Sequence, residues 1–234
     1  MILGGLQKLT LIDYPGKVAA TVFTVGCSFR CPFCHNPELV LSSASAELGS
    51  ISEKEFFNFL KGRKGKLEGV CITGGEPTIH DDIIEFIRRI KKMGYFVKLD
   101  SNGTRPDVLK KVFAEKLVDF VAMDIKTSLE NYSKACGLDF DTERIKLSVD
   151  LIRNSGLPYE FRTTVVPSIH TYKDFERIGK WLDGSISYAL QPYRDEGKII
   201  DESLRERTKD ARVLDLERVV KMLRKHFEKV EIKS

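Results

Sequence analysis

Gly26-Cys27-Ser28-Phe29-Arg30-Cys31-Pro32-Phe33-Cys34-His35-Asn36-Pro37 sets three of the chain's five cysteines in a Cys-x3-Cys-x2-Cys array. Thiols clustered at such intervals usually hold a metal or an iron–sulfur cluster. Two plainer readings fit less well. Small buried hydrophobes sit badly beside Pro32 and polar neighbours, and disulfide pairing leaves one thiol of the three over. A closed zinc site needs four ligands. His35 is a fourth in principle, but it directly follows Cys34, and adjacent side chains rarely converge on one tetrahedral ion. Three thiolates on a cubane cluster instead leave one iron open to a cofactor or substrate. Upstream, Val18 to Val25 is β-branched and nearly continuously apolar, the pattern of a parallel strand covered on both faces. The thiol loop therefore follows the carboxyl end of a first strand, where open α/β sheets and barrels keep their chemistry.

Length and charge narrow the classes further. A chain of 234 residues suits one large α/β domain spanning 1–234, with a short N-terminal extension over 1–17. A net charge of +4 from 38 basic and 34 acidic residues gives no argument for nucleic acid, where a clustered basic face is expected. No apolar run reaches the length of a membrane span, and Asp13, Pro15 and Gly16 interrupt the stretch where a signal peptide needs an unbroken apolar core. The reading is a cytoplasmic protein with reduced thiols and no membrane contact.

Strand and helix patterns alternate along the rest of the chain. Gly4 to Gly16 reads as a short strand or hairpin closed by Pro15-Gly16. Leu41 to Ser50 is a small, polar connection, and Ser52 with Glu55 forms a capping-box signature ahead of Phe56, Phe59 and Leu60. Gly69–Thr73, Tyr95–Leu99, Val118–Ile125, Tyr159–Val166 and Ile186–Leu190 read as strands; Asp81–Met93, Asp107–Glu115, Thr142–Asn154 and Tyr172–Leu182 read as helices. Six βα units predict a parallel sheet with outer helices curling into a partial (βα)6 barrel, short of a closed eightfold one. The tail predicts one packing helix over about 208–227 and an edge strand at Val230–Ile232.

The thiol loop, with aromatic Phe33 before its third cysteine, resembles that of the radical S-adenosylmethionine enzymes. Further motifs stand at strand ends, as the resemblance requires. Thr73-Gly74-Gly75-Glu76-Pro77 follows the second strand, Asp100-Ser101-Asn102-Gly103 the third, and Asp124-Ile125-Lys126 the fourth. Each alone reads as a turn or a solvated pair. Together they resemble the activases that install a glycyl radical in a partner enzyme. The resemblance implies a 4Fe-4S cluster on Cys27, Cys31 and Cys34 and S-adenosylmethionine contacted by Phe33, Gly74, Gly75, Glu76, Asn102 and Lys126. It places Asp100 and Asp124 near the cofactor carboxylate, around a monovalent cation. Carboxylates so crowded need positive charge from Lys126 or an ion to stay ionised. Arg162, in the fifth strand before a Val-Pro corner, matches the activases and is expected to face inward or pair with an acid.

The implied chemistry is one-electron cleavage of S-adenosylmethionine, giving a deoxyadenosyl radical that takes hydrogen from a glycine Cα of a partner. Gly5-Leu6-Gln7-Lys8, Ile12-Asp13-Tyr14-Pro15-Gly16-Lys17 and His35-Asn36-Pro37-Glu38-Leu39 resemble the activating proteins of anaerobic ribonucleoside-triphosphate reductase. That resemblance implies this reductase as partner and flavodoxin or ferredoxin as electron donor. Arg194 stands where formate-lyase activases carry His, a departure from that branch which also leaves the roles of Gln191 and Arg194 open. Two thiols, Cys71 and Cys136, remain, too few for a second cluster held by cysteines alone. His80, His170 and His226 have no metal spacing, and Trp181 reads as core. The competing classes are activases of other glycyl-radical enzymes such as pyruvate formate-lyase, small-molecule radical enzymes of the deazapurine carboxylate synthase kind, and a zinc- or cluster-stabilised binding module.

Overall fold

The computed structural model describes residues 1–41 and 49–233. The polar connection expected over Leu41 to Ser50 falls mostly on 42–48, outside the described residues. In chain order the described elements are β1 (Leu3–Thr10), β2 (Ala19–Thr24), α1 (Pro37–Val40), α2 (Glu53–Lys61), β3 (Gly69–Gly74), α3 (Ile83–Lys92), β4 (Phe96–Ser101), α4 (Pro106–Ala114) and β5 (Phe120–Asp124). There follow α5 (Tyr132–Cys136), α6 (Glu143–Arg153), β6 (Tyr159–Val165), α7 (Tyr172–Trp181), β7 (Ser185–Pro192), α8 (Ser203–Lys209), α9 (Leu216–Leu223) and β8 (Phe227–Ile232). Spatial strand order follows chain order from β1 to β8. The pair β1–β2 is antiparallel, while β2–β3, β3–β4, β6–β7 and β7–β8 are parallel. The six expected strands are thus β2 to β7, the short strand expected within Gly4 to Gly16 is β1, and the edge strand expected at Val230–Ile232 is the end of β8.

Two compact units divide the chain. The first holds Met1–Ser28, Asn36–Ala122 and Arg144–Pro158. Its strands β2 and β3 are buried along nearly their whole length, as continuous apolar runs between two covered faces should be. Helix α2 starts as its sequence dictates: the Ser52 hydroxyl accepts from the Glu55 amide while Glu55 reaches back to the Ser52 amide, so two orphan donors are satisfied at once. Helix α3 buries Ile83, Phe86, Ile87 and Ile90, one stripe at helical spacing, with each such side chain contributing about 1.5–3 kcal/mol of burial. Phe86 stacks on Phe56 of α2 at 5.2 Å between ring centroids.

The second unit holds Phe29–His35, Met123–Glu143 and Tyr159–Ser234. Its tail differs from the single helix expected over 208–227. Helix α8 ends at Lys209, and Asp215 opens a new helix by accepting from the Glu217 and Arg218 amides. An N-capping carboxylate in mid-run begins a separate helix after α8 has stopped. Val213, within the stretch expected to be that packing helix, is exposed, and Phe227 opens β8 opposite Ser185 of β7. Among the described residues no helix is long and apolar enough to cross a membrane.

Candidate functional site

In the first unit, the residues around Cys27 lie where β2, β3 and β4 end. Gly74 has φ of +120°, and a Cβ there would stand 2.3 Å from the Thr24 amide nitrogen; one on Gly75 would stand 1.9 Å from the Gly26 carbonyl oxygen. Only glycine lets the two chains approach this closely. The Gly75 amide donates to Thr24 O at 2.9 Å and the Glu76 amide to Gly26 O at 2.7 Å. The Gly-Gly-Glu turn is therefore locked onto the start of the thiol loop, a role that sequence reasoning gave to ligand contact alone.

Glu76 is held by partners within the protein. The side chain is buried, and its carboxylate accepts from the Thr78 amide at 3.1 Å, the Thr78 hydroxyl, the Ser101 hydroxyl at 2.9 Å and the Asn102 amide at 2.6 Å. Burial pushes this carboxyl up, and the four donors pull it the other way. Glu76 is a brace between the ends of β3 and β4. Asn102, held by that brace, directs Nδ2 to Ser28 Oγ at 3.0 Å and to Cys27 Sγ at 3.7 Å.

Asp100 and Ser101 are the last residues of β4 rather than part of the turn after it. Asp100 pairs with Lys98, and both are nearly sealed from solvent. Cys71, opposite Lys98 in the β3–β4 register, lies 3.8 Å from both Lys98 Nζ and Asp100 Oδ1. Lys98 escaped the sequence reading. Its position two residues before Asp100 was the available signal, because strand residues i and i+2 share a face.

In the second unit the loop carrying Cys31 and Cys34 is held from several sides. The Cys34 amide closes a turn on Cys31 O at 3.0 Å, the Arg30 amide donates to Cys136 O at 2.8 Å, and the Asp201 amide to Pro32 O at 3.1 Å. His35 stacks on Tyr193 at 5.4 Å and places Nδ1 3.1 Å from Glu196 O. Cys31 and Phe33 are buried. Cys136 supplies its carbonyl, while burial pushes its thiol up.

Asp124 accepts from Lys126 Nζ at 2.9 Å and from Arg162 Nε at 2.5 Å. Burial opposes its ionisation, but the Arg162 and Lys126 charges win and hold the carboxyl well below the usual carboxylate range. Burial likewise works against charge on Lys126, but Asp124 and Cys31 more than offset it and raise the ammonium. Lys126 is thus a fixed cation near Cys31. The acid partner expected for Arg162 is Asp124. Asp124 takes positive charge from Lys126, as the sequence argument allowed, and Asp100 takes it from Lys98, which that argument did not name.

His170, given no role from sequence, holds the Lys126 backbone. Its Nδ1 accepts from the Val166 amide at 3.0 Å, so the proton lies on Nε2, 2.8 Å from Lys126 O. Burial lowers its pKa from 6.5. The native state therefore favours neutral imidazole, and the unfolded chain takes up the extra proton below about pH 6.5. The expected result is a thermal midpoint that falls between pH 7.5 and 5 and a smaller fall in His170→Gln, read by circular dichroism.

Among the described residues no three or more His, Cys, Asp or Glu side chains gather as ligands of a single metal ion. Thiolates on separate irons of a cubane stand farther apart than ligands of one ion. The chemistry of the donor set fits such a cluster: three thiols, soft donors, stand on one loop at Cys-x3-Cys-x2-Cys spacing.

Comparisons with known proteins agree with this chemistry. Residues 21–182 match the model of the radical SAM superfamily. A protein of Methanocaldococcus jannaschii named "Putative glycyl-radical enzyme activating enzyme" is 33% identical over 206 residues, covering 86% of this chain and 83% of its own length. The pyruvate formate-lyase-activating enzyme of Clostridium pasteurianum is 25% identical, covering 98% of this chain and 97% of its own. Among solved structures, Streptococcus suis SuiB bound to precursor peptide SuiA aligns with a TM-score of 0.64 at 13% identity, covering 90% of this chain and 47% of that one, a likeness of fold. From the matched segment and the relative similar along most of its length, the chain belongs to the radical SAM superfamily and, within it, to the glycyl-radical enzyme activases.

Proposed function

We propose that this chain, acting as one radical S-adenosylmethionine domain, installs a glycyl radical in anaerobic ribonucleoside-triphosphate reductase. The observation that carries the reading is the conjunction of a three-thiol loop directly after β2 with Asp100-x-Asn102-Gly103 at the end of β4 and Asp124-x-Lys126 at the end of β5. The partner is supported by Gly5-Leu6-Gln7-Lys8, Ile12-Asp13-Tyr14-Pro15-Gly16-Lys17 and His35-Asn36-Pro37, which resemble that reductase's activating proteins.

Cys27, Cys31 and Cys34 would hold a 4Fe-4S cluster, which when bound supplies the electron for reductive cleavage of S-adenosylmethionine. The chain's own residues position and charge the site. Lys126, kept protonated by Asp124, offers fixed positive charge to the cofactor carboxylate. Arg162 holds Asp124 from the other side, and Glu76 braces the Asn102 turn. Flavodoxin or ferredoxin is the proposed electron donor, and the cytoplasm the proposed compartment.

Activation of pyruvate formate-lyase is the second reading, favoured by the full-length match to the Clostridium pasteurianum activating enzyme. The two separate when the reconstituted, reduced protein is mixed with S-adenosylmethionine and either partner. A glycyl radical, counted by electron paramagnetic resonance, is expected on the reductase and not on the lyase; the reverse pattern would replace the first reading by the second.

A further inference from the structure

We propose that the Asn102 carboxamide donates a hydrogen bond to the Cys27 sulfur and thereby sets how readily the centre held by that thiolate is reduced. The proposal rests on the reading of Cys27 as a cluster ligand and adds a role for Asn102 distinct from cofactor contact. The orientation of the amide is decided by its own neighbours. Oδ1 accepts from the Thr104 amide at 3.1 Å and the Thr104 hydroxyl at 2.8 Å, so the donor nitrogen must face Ser28 and Cys27. Nδ2 stands 3.7 Å from Cys27 Sγ, within reach of an N–H to sulfur bond.

The turn behind it is braced throughout. The Asn102 amide is fixed on Glu76 at 2.6 Å, the Gly103 amide on Ser101 Oγ at 3.0 Å, and Gly103 O accepts from buried Ser148 Oγ at 2.7 Å. Ser28 Oγ meets Thr104 Oγ1 at 2.8 Å, tying the residue after Cys27 to the same turn. A buried side chain that is immobile at both ends keeps its donor in place through a change of charge.

The physical consequence has a definite sign. An electron added to a thiolate-bound cluster makes its sulfurs more negative, so a hydrogen bond to sulfur is stronger in the reduced state. Such bonds and outer ligand partners are recognised means of setting cluster potential. Removing the donor disfavours the reduced state and lowers the midpoint potential.

The test is the midpoint potential of the reconstituted full chain, without S-adenosylmethionine, followed by electron paramagnetic resonance during redox titration. Asn102→Leu removes both functions of the amide. Asn102→Asp keeps the acceptor that Thr104 uses, protecting the turn, and lacks the donor; its added charge lowers the potential as well, so the neutral Asn102→Leu decides the sign. Thr104→Val leaves the donor in place and controls for loosening of the loop. The expected result is a fall in both Asn102 variants of about tenfold in the reduction equilibrium constant, which for a one-electron couple is about 59 mV, and no fall in Thr104→Val. Equal potentials in parent and Asn102 variants, all carrying a full cluster, overturn the proposal and leave the cluster reading intact. A parent chain that assembles no cluster overturns that reading, and the proposal with it.

Discussion

Cys31→Ala is expected to remove the iron–sulfur absorbance of the reconstituted protein and to drop S-adenosylmethionine cleavage to the level of protein-free controls. The loss should exceed a hundredfold, beyond the 10–100-fold typical when only an outer partner of a metal ligand is lost. Cys31 is buried in a turn closed by the Cys34 amide, and the raised pKa of Lys126 owes part of its rise to Cys31. The substitution removes one sulfur and no backbone bond, so far-ultraviolet circular dichroism should match the parent. Iron content and deoxyadenosine release are the measurements. A variant that keeps full iron and full cleavage would remove the thiol loop from the chemistry.

Lys98→Met should cost about 3–5 kcal/mol of stability, the range for breaking a buried ion pair by removing one partner. Lys98 and Asp100 are both nearly sealed, with Cys71 as a near neighbour on β3. Removing the ammonium takes a charge partner from a nearly sealed carboxylate. Combining Lys98→Met with Asp100→Asn removes that charge and should recover much of the loss, because the penalty lies in the buried carboxylate charge. Urea unfolding reads the difference as a lower midpoint at unchanged slope. A single variant within about 0.5 kcal/mol of the parent, the ordinary range for surface substitutions, would show the pair to be solvated.

These two sites differ in how far the sequence revealed them. The thiol loop announced itself by spacing, and its place after a strand followed from the apolar run before it. The Ser52–Glu55 box was legible, and so was most of the apolar face of α3: of Ile83, Ile84, Ile87 and Ile90, all but Ile84 are buried, and Phe86 takes the remaining place. Lys98 was half legible: alternation puts it on the face of Asp100, but its burial depends on what covers that face. The bracing bonds of Glu76 were not legible, because its side-chain direction depends on a turn whose glycines are squeezed against Thr24 and Gly26. His170 acts through the Lys126 carbonyl, a partner 44 residues away that no local pattern names. The tail was misread as one helix because apolar spacing ran on through Val213, while Asp215 had the chemistry to start a new one.

The measurement closest to the central claim is the electron paramagnetic resonance spectrum of the reduced chain with S-adenosylmethionine and anaerobic ribonucleoside-triphosphate reductase. The account predicts a doublet that requires every component and collapses to a singlet when the reductase is made with Cα-deuterated glycine. Deoxyadenosine release with no doublet on the reductase or on pyruvate formate-lyase would contradict it.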